Sequence, residues 1–82
     1  MSNEPKADAV LETSGLLCPG PVVETSKAIS GRVQIGQVLQ VVSTDPGANL
    51  DIPAWCRNVG HELVFASEDP EGTFRFWIRR KQ

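Results

Sequence analysis

The stretch Val38-Leu39-Gln40-Val41-Val42 is a nearly continuous run of apolar residues, three of them β-branched valines. A run of this kind is typical of a strand that is buried on both faces or lies in the middle of a sheet. We therefore expect this strand to form the centre of the fold, with the other elements arranged around it.

A short strand and a helix are predicted on the N-terminal side of this central strand. Residues 9–13 suit a strand. The helix is expected over about residues 19–30, because Pro19 and Pro21 are tolerated in a first helical turn, and Gly31 is expected to close it in a left-handed conformation. Its predicted core side consists of Val22, Val23 and Ile29, and its predicted solvated side of Glu24, Thr25, Lys27 and Ser30.

A second helix is predicted after an Asp-Pro-Gly turn that follows the central strand. Pro53 is expected in its first turn, so the helix should start between Ala48 and Asp51, with Asn49 or Asp51 as its cap. Gly60 should end it. The apolar positions that repeat at helical spacing are Ile52, Trp55, Cys56 and Val59.

Two further strands are predicted at residues 61–67 and 73–79, joined as a hairpin by the polar loop 68–72. In the last strand two sets of side chains alternate, Phe74, Phe76 and Ile78 against Arg75, Trp77 and Arg79. The second set is expected on the open face of the sheet. That face is interpreted as a solvated surface, with a partner-binding surface around Trp77 as the alternative.

The resulting order, β-α-β-α-β-β, predicts an α/β fold. Two helices can cover only one face of a four-stranded mixed sheet, which gives a two-layer α/β sandwich. Residues 9–82 are expected to form a single domain, and the polar residues 1–8 a flexible N-terminal tail.

Composition excludes several classes of function. The 82 residues carry a formal net charge of -2, and the sequence pI is about 5.2, so no strong basic field favours nucleic acid. No apolar run approaches the roughly 20 residues that span a bilayer, and a cytoplasmic protein is expected. Two cysteines and one histidine are too few for a disulfide framework or a four-ligand zinc site.

Cys18 stands at the predicted start of the first helix, in the run Cys18-Pro19-Gly20-Pro21. The N–H groups of a first helical turn have no acceptor within the helix, so an anionic sulfur beside them is stabilised. Pro19 and Pro21 fix the backbone, while Gly20 keeps an N–H group and removes side-chain bulk. A reactive, accessible thiol able to carry a persulfide is therefore predicted. The alternative is a buried, inert cysteine.

The segment Gly-Leu-Leu-Cys-Pro-Gly-Pro-Val at residues 15–22 resembles the motif of the TusA-like, or SirA-like, family of sulfur carriers. The resemblance continues through Lys27, Gly36, the Thr-Asp-Pro sequence at 44–46, and residues 51–56 and 60–63. It covers roughly Val10 to Arg80.

This resemblance implies a cytoplasmic sulfurtransferase that carries sulfur on Cys18, with Pro19, Gly20 and Pro21 as positioning residues. It implies a cysteine desulfurase or rhodanese-like donor and a DsrE-like or similar acceptor, in a relay that serves tRNA thiolation, molybdenum cofactor assembly or sulfur oxidation. No cofactor, metal, nucleic acid or membrane partner is expected, and the chain is expected to be a monomer. The alternative is an RNA-binding or regulatory interaction module in which Cys18 is dispensable.

Four other residues have two interpretations each. Cys56 is expected in the core rather than as a resolving thiol, and His61 at the start of a strand, away from Cys18. Asp45 is expected at the Cys18 end of the sheet, capping a turn, with tuning of the sulfur or contact with a partner as the alternative. Lys27 is expected to be solvated, with partner docking as the alternative.

Overall fold

The computed structural model describes residues 4–17 and 20–82 of the chain. Its elements follow the predicted order and are β1 (Ala9–Glu12), α1 (Gly20–Gly31), β2 (Val38–Ser43), α2 (Ala48–Val59), β3 (Glu62–Glu68) and β4 (Phe74–Arg79). Each predicted strand and helix is present, with boundaries that differ by a residue or two.

The four strands form one mixed sheet in the order β1-β2-β4-β3. β1 runs parallel to β2, while β4 is antiparallel to both β2 and β3. The predicted central strand therefore has a neighbour on each side. Leu39 and Val41 of β2 are completely buried, which agrees with the apolar run that marked this strand.

One face of the sheet packs against both helices and forms the hydrophobic core. The predicted alternation in β4 is confirmed, because every second side chain of that strand points into this core. The core residues of the two central strands are Leu39, Val41, Phe74, Phe76 and Ile78, and those of the helices are Ala28, Ile29, Ala48, Ile52 and Cys56.

The prediction for the opposite face was wrong at Trp77, whose side chain is 1% exposed. Trp77 lies opposite Gln40 of β2 and Phe65 of β3, and its ring centroid is 5.4 Å from that of Phe65. Arg75 and Arg79, its neighbours along this face of β4, are only partly exposed and form ion pairs. A large ring at the centre of a sheet is covered by its neighbours, so Trp77 offers no surface to a partner.

The buried face of α1 also differs from the prediction. The buried residues are Pro21, Thr25, Ala28 and Ile29, whereas Val23 is 46% exposed. These four positions follow the i, i+4, i+7, i+8 spacing of one helical face, and Val23 falls outside it. Thr25 is tolerated inside because its hydroxyl group has a hydrogen-bond acceptor within the helix.

The two helices end differently. Gly31 does not adopt the predicted left-handed conformation, because the Arg32 N–H donates to the Ala28 carbonyl at 2.8 Å and continues the helical bonding. Gly60 does adopt it, with φ of 83°, and its N–H donates to the carbonyl of Cys56, so the predicted end of α2 is confirmed.

The start of α2 lies in the predicted range, but neither Asn49 nor Asp51 caps it. Gly47 is the N-cap residue and makes no side-chain capping bond. The Ala48 N–H donates instead to the backbone carbonyl of Asp45 at 3.0 Å, so the turn before the helix satisfies this donor. Pro53 consequently lies in the second helical turn rather than the first.

Backbone pairing with β2 begins at Asp8, the last residue of the predicted tail. The Asp8 N–H donates to the Val38 carbonyl, and the Asp8 carboxylate accepts the Val38 N–H, each at 2.8 Å. Residues 4–7 have no regular structure, and residues 1–3 of the predicted tail lie outside the described residues.

Candidate functional site

The predicted reactive residue, Cys18, and its neighbour Pro19 lie outside the described residues. The site is therefore defined by the segments that flank them. α1 begins at Gly20, so the last two residues of the Cys-Pro-Gly-Pro run lie in its first turn, where Pro21 was predicted. The Gly20 N–H donates to the Leu17 carbonyl at 2.7 Å, so this donor is already used and does not remain available to a sulfur atom.

The segment before Cys18 is attached to the end of β2. Thr13 is 1% exposed, and its N–H and hydroxyl groups both donate to the carbonyl of Val42. The Gly15 N–H donates to Oγ1 of Thr44 at 2.9 Å. The Leu16 N–H donates to the Thr13 carbonyl at 3.1 Å. Residues 13–16 are thus held at three points directly upstream of Cys18.

Both helices begin at the same edge of the sheet. α1 follows the end of β1, α2 follows the end of β2, and these two strands are parallel, so their carboxyl ends meet. Asp45 lies at this edge and is 9% exposed. Its N–H donates to Ser43 Oγ at 3.1 Å and its Oδ1 accepts the Gly47 N–H at 3.2 Å, which shows the predicted turn-capping role.

Large apolar side chains are exposed around the same edge. Leu17 is 76% exposed and Leu50, in the first turn of α2, is 75% exposed. Leu16 and Val23, on either side of the Cys-Pro-Gly-Pro run, are also exposed. Four of the six large hydrophobic residues that are exposed in the described chain therefore lie near the start of the two helices.

Cys56 is a core residue, as predicted. Its side chain is 1% exposed and belongs to the hydrophobic core beside Ile52. Burial raises the pKa of its thiol to about 11, against an opposing effect from the Arg57 charge. A thiol that stays protonated and enclosed at neutral pH is unsuited to resolve a disulfide or accept sulfur.

His61 lies between α2 and β3, at the edge of the sheet opposite the helix starts. Its Nδ1 accepts the Lys81 N–H at 3.1 Å, and its ring centroid is 5.5 Å from that of Trp55. Burial, and secondly the charge of Arg80, lower its pKa. The predicted separation of His61 from the segment around Cys18 is confirmed by this placement.

Lys27 is solvated, with its side chain 74% exposed and its Nζ 3.6 Å from a Glu24 carboxylate oxygen. Glu24 and Lys27 line a shallow groove of about 290 Å³ between α1 and β1, together with Leu11, Ala28 and Arg32. This groove lies along the length of α1 rather than at its start.

No group of three or more histidine, cysteine, aspartate or glutamate side chains within residues 4–17 and 20–82 is arranged to hold a metal ion. Within the same ranges, no helix combines the length and the apolar composition that crossing a bilayer requires.

Sequence reasoning missed three threonines that surround this site. Thr13 and Thr44 anchor the segment before Cys18, and the Thr25 hydroxyl bonds to the carbonyl of Pro21 after it. The signal available in the sequence was a threonine directly after each of the two parallel strands, but the pairing of Thr44 with Gly15 depends on strand register.

Comparison with known proteins gives consistent matches over nearly the whole chain. The model of a family described as Sulfurtransferase TusA matches residues 9–80. A sulfur carrier protein TusA of Pseudomonas savastanoi pv. phaseolicola is 47% identical over 74 residues, which cover 90% of this chain and 86% of that protein. A putative sulfur carrier protein YrkI of Bacillus subtilis is 40% identical over 75 residues, covering 92% of this chain and 97% of that protein.

A solved structure has the same fold. The crystal structure of a SirA-like protein from Desulfitobacterium hafniense superposes with a TM-score of 0.77 and covers 90% of this chain and 99% of that one. The two sequences are 19% identical, so this likeness concerns the architecture. It agrees with the predicted four-stranded mixed sheet and two helices.

Proposed function

Because this chain belongs to the Sulfurtransferase TusA family, we propose that it carries transferable sulfur as a persulfide on Cys18. Relatives that share more than two fifths of its residues are named sulfur carrier proteins, which supports the sulfur carrier role. The structural observation that carries the proposal is the start of α1 at Gly20, two residues beyond Cys18.

The start of a helix favours the chemistry of a persulfide. The Gly20 N–H is bonded to Leu17 and Pro21 has no N–H, so the proposed support for an anionic sulfur is the positive potential that the aligned peptide dipoles of α1 add at its start. This potential stabilises the Cys18 thiolate, which attacks in the first transfer step and is released in the second. Pro21 is buried in this first turn and fixes its backbone, while Gly20 places no side chain beside the sulfur.

The proposed transfer has two balanced displacement steps. The Cys18 thiolate attacks the outer sulfur of a donor persulfide, an S–S bond to Cys18 forms, the donor's S–S bond breaks, and the donor thiolate leaves. An acceptor cysteine thiolate then attacks the outer sulfur on Cys18 and releases the Cys18 thiolate. The bound proton moves with the outer sulfur, and neither step needs an external oxidant or reductant.

Sulfur transfer of this kind takes place between proteins. A cysteine desulfurase or a rhodanese-like protein is the proposed donor, and a DsrE-like or similar sulfurtransferase the proposed acceptor. The exposed side chains of Leu17 and Leu50 at the helix starts support direct contact with other proteins, because exposed apolar groups at one edge favour association. The proposed setting is a cytoplasmic relay for tRNA thiolation, molybdenum cofactor assembly or sulfur oxidation.

The test is mass spectrometry of the intact protein after incubation with a cysteine desulfurase and cysteine. Wild type is compared with Cys18→Ser and with Cys56→Ala, a matched change of the other cysteine. We expect a gain of about 32 Da per sulfur in wild type and Cys56→Ala, reversed by dithiothreitol and absent in Cys18→Ser. An equal gain in Cys18→Ser, or none in wild type, would refute the proposal.

A further inference from the structure

One hydrogen bond joins the segment before Cys18 to the loop between β2 and α2. The Gly15 N–H donates to Oγ1 of Thr44 at 2.9 Å, across 29 positions of sequence. Thr44 directly follows β2, and Gly15 lies two residues before Leu17, the last described residue ahead of Cys18. The bond therefore connects two loops that meet where both helices begin.

The geometry on each side of this bond is restricted. Gly15 has a φ of 87°, a left-handed conformation that side chains disfavour, and in this conformation its N–H reaches the neighbouring loop. Upstream, Thr13 is fixed by its two donations to the Val42 carbonyl. On the other side, Thr44 is held between the β2 ladder and the turn capped by Asp45.

The hydrogen bond of Thr44 can be removed without disturbing the hydrophobic core. Its side chain is exposed, and the structure gives Oγ1 a role as acceptor for Gly15. Changing an exposed hydroxyl group to a methyl group leaves the core packing intact. By contrast, Thr13 is buried, so changes there would affect folding as well as the loop.

We propose that Thr44 is a positioning residue for sulfur transfer, whose hydroxyl oxygen restrains Gly15 and thereby the segment 13–17 that leads to Cys18. This inference rests on the proposed function of Cys18. It adds a residue from a different loop, which acts through Gly15 and does not itself touch the sulfur. Loss of the bond leaves the thiol present but loosens the segment that leads to it, and a less restrained segment slows a displacement that needs alignment.

The variants are Thr44→Val, which keeps the shape and loses the acceptor, and Thr44→Ser, which keeps the oxygen. The first measurement is exchange of the Gly15 amide hydrogen, followed by NMR. We expect exchange to be about threefold to tenfold faster in Thr44→Val, corresponding to loss of one hydrogen bond, and near the wild-type rate in Thr44→Ser.

The second measurement is the rate of Cys18 alkylation by iodoacetamide between pH 5 and 10, resolved from Cys56 by peptide mass spectrometry. In Thr44→Val the profile is expected to move to higher pH, and loading from a desulfurase to slow about threefold to tenfold. Thr44→Ser should restore both. Unchanged Gly15 exchange would overturn the inference, and so would faster exchange with an unchanged alkylation profile.

Failure of the proposed function gives a different result. In that case wild type gains no sulfur on Cys18, whatever the residue at position 44. The alkylation profile needs no sulfur donor, so it still reports whether Thr44 positions the thiol.

Discussion

The Thr25 hydroxyl group donates a hydrogen bond of 2.6 Å to the carbonyl oxygen of Pro21, one helical turn earlier. Thr25 is completely buried, on the face of α1 that packs on the sheet. The bond therefore satisfies a polar group inside the core and links that core to the first turn after Cys18. A hydroxyl satisfied within its own helix can occupy a position that would otherwise be apolar.

We predict that Thr25→Val changes the free energy of unfolding by less than about 1 kcal/mol. Valine fills nearly the same space, and the Pro21 carbonyl keeps its backbone donor one turn later in the helix. Thr25→Asp should destabilise the protein by more than about 3 kcal/mol, because it places a carboxylate in the core. Urea unfolding measures both, and a mild effect of Thr25→Asp would contradict the burial of this position.

Thr25 also shows where prediction from sequence stops. The polarity of its side chain placed it on the solvated side of α1 and Val23 in the core, and the structure reverses both. In α2 the same reasoning succeeded, because its buried residues, Ala48, Ile52 and Cys56, are all apolar. Helix and strand order could be predicted from periodicity, but not which polar residue finds an internal acceptor.

Prediction from sequence was also limited by contacts between residues that are far apart along the chain. The burial of Trp77 depends on Phe65 and Gln40, which lie beside it only through the register of three strands. The bond between Gly15 and Thr44 depends likewise on the parallel pairing of β1 with β2. The Cys-Pro-Gly-Pro run predicted the location of the candidate site, whereas its anchoring residues needed the sheet.

Cys56 gives a prediction for alkaline pH. Its pKa is raised from 9.0 to about 11 by burial, so the folded state favours the protonated thiol. The stability from this group is complete below pH 9, where the thiol is protonated in both states, and is lost as pH rises toward 11, where the unfolded chain ionises first. We expect ionisation of Cys56 to lower the free energy of unfolding by up to about 2–3 kcal/mol over this range.

The control for Cys56 is the Cys56→Ala variant, measured by urea unfolding between pH 8 and 11. Lysine titration affects both proteins equally, so the difference between their unfolding free energies isolates the thiol. That difference should narrow as pH rises. A constant difference would show that Cys56 has an ordinary pKa and is not enclosed.

Trp77 gives a prediction about the helix-free face of the sheet. Its Nε1 is buried and has no hydrogen-bond partner among the described residues, and an unsatisfied buried donor costs about 1–3 kcal/mol. Trp77→Phe removes that donor and keeps an aromatic ring against Phe65, so the stability should stay within about 1 kcal/mol of wild type. Trp77→Ala should lose about 3–5 kcal/mol. If thermal or urea unfolding shows that Trp77→Ala lowers the free energy of unfolding by less than about 1 kcal/mol, the indole ring is exposed to solvent rather than buried.

His61 gives a prediction for mildly acidic pH, because its Nδ1 accepts the Lys81 N–H and protonation would abolish that acceptor. Its pKa is lowered from 6.5, so the folded state favours the neutral ring. The stability from this group is present above pH 6.5 and is lost as pH falls through the lower folded pKa. His61 is the sole histidine, so NMR titration of its ring reports one group, with an expected midpoint below 6.5.

The control is His61→Asn, which keeps an acceptor and does not titrate. Its free energy of unfolding should fall less than that of wild type between pH 7 and 5. Parallel curves for the two proteins, or a midpoint above 6.5, would show that burial and the Arg80 charge do not hold His61 in its neutral form.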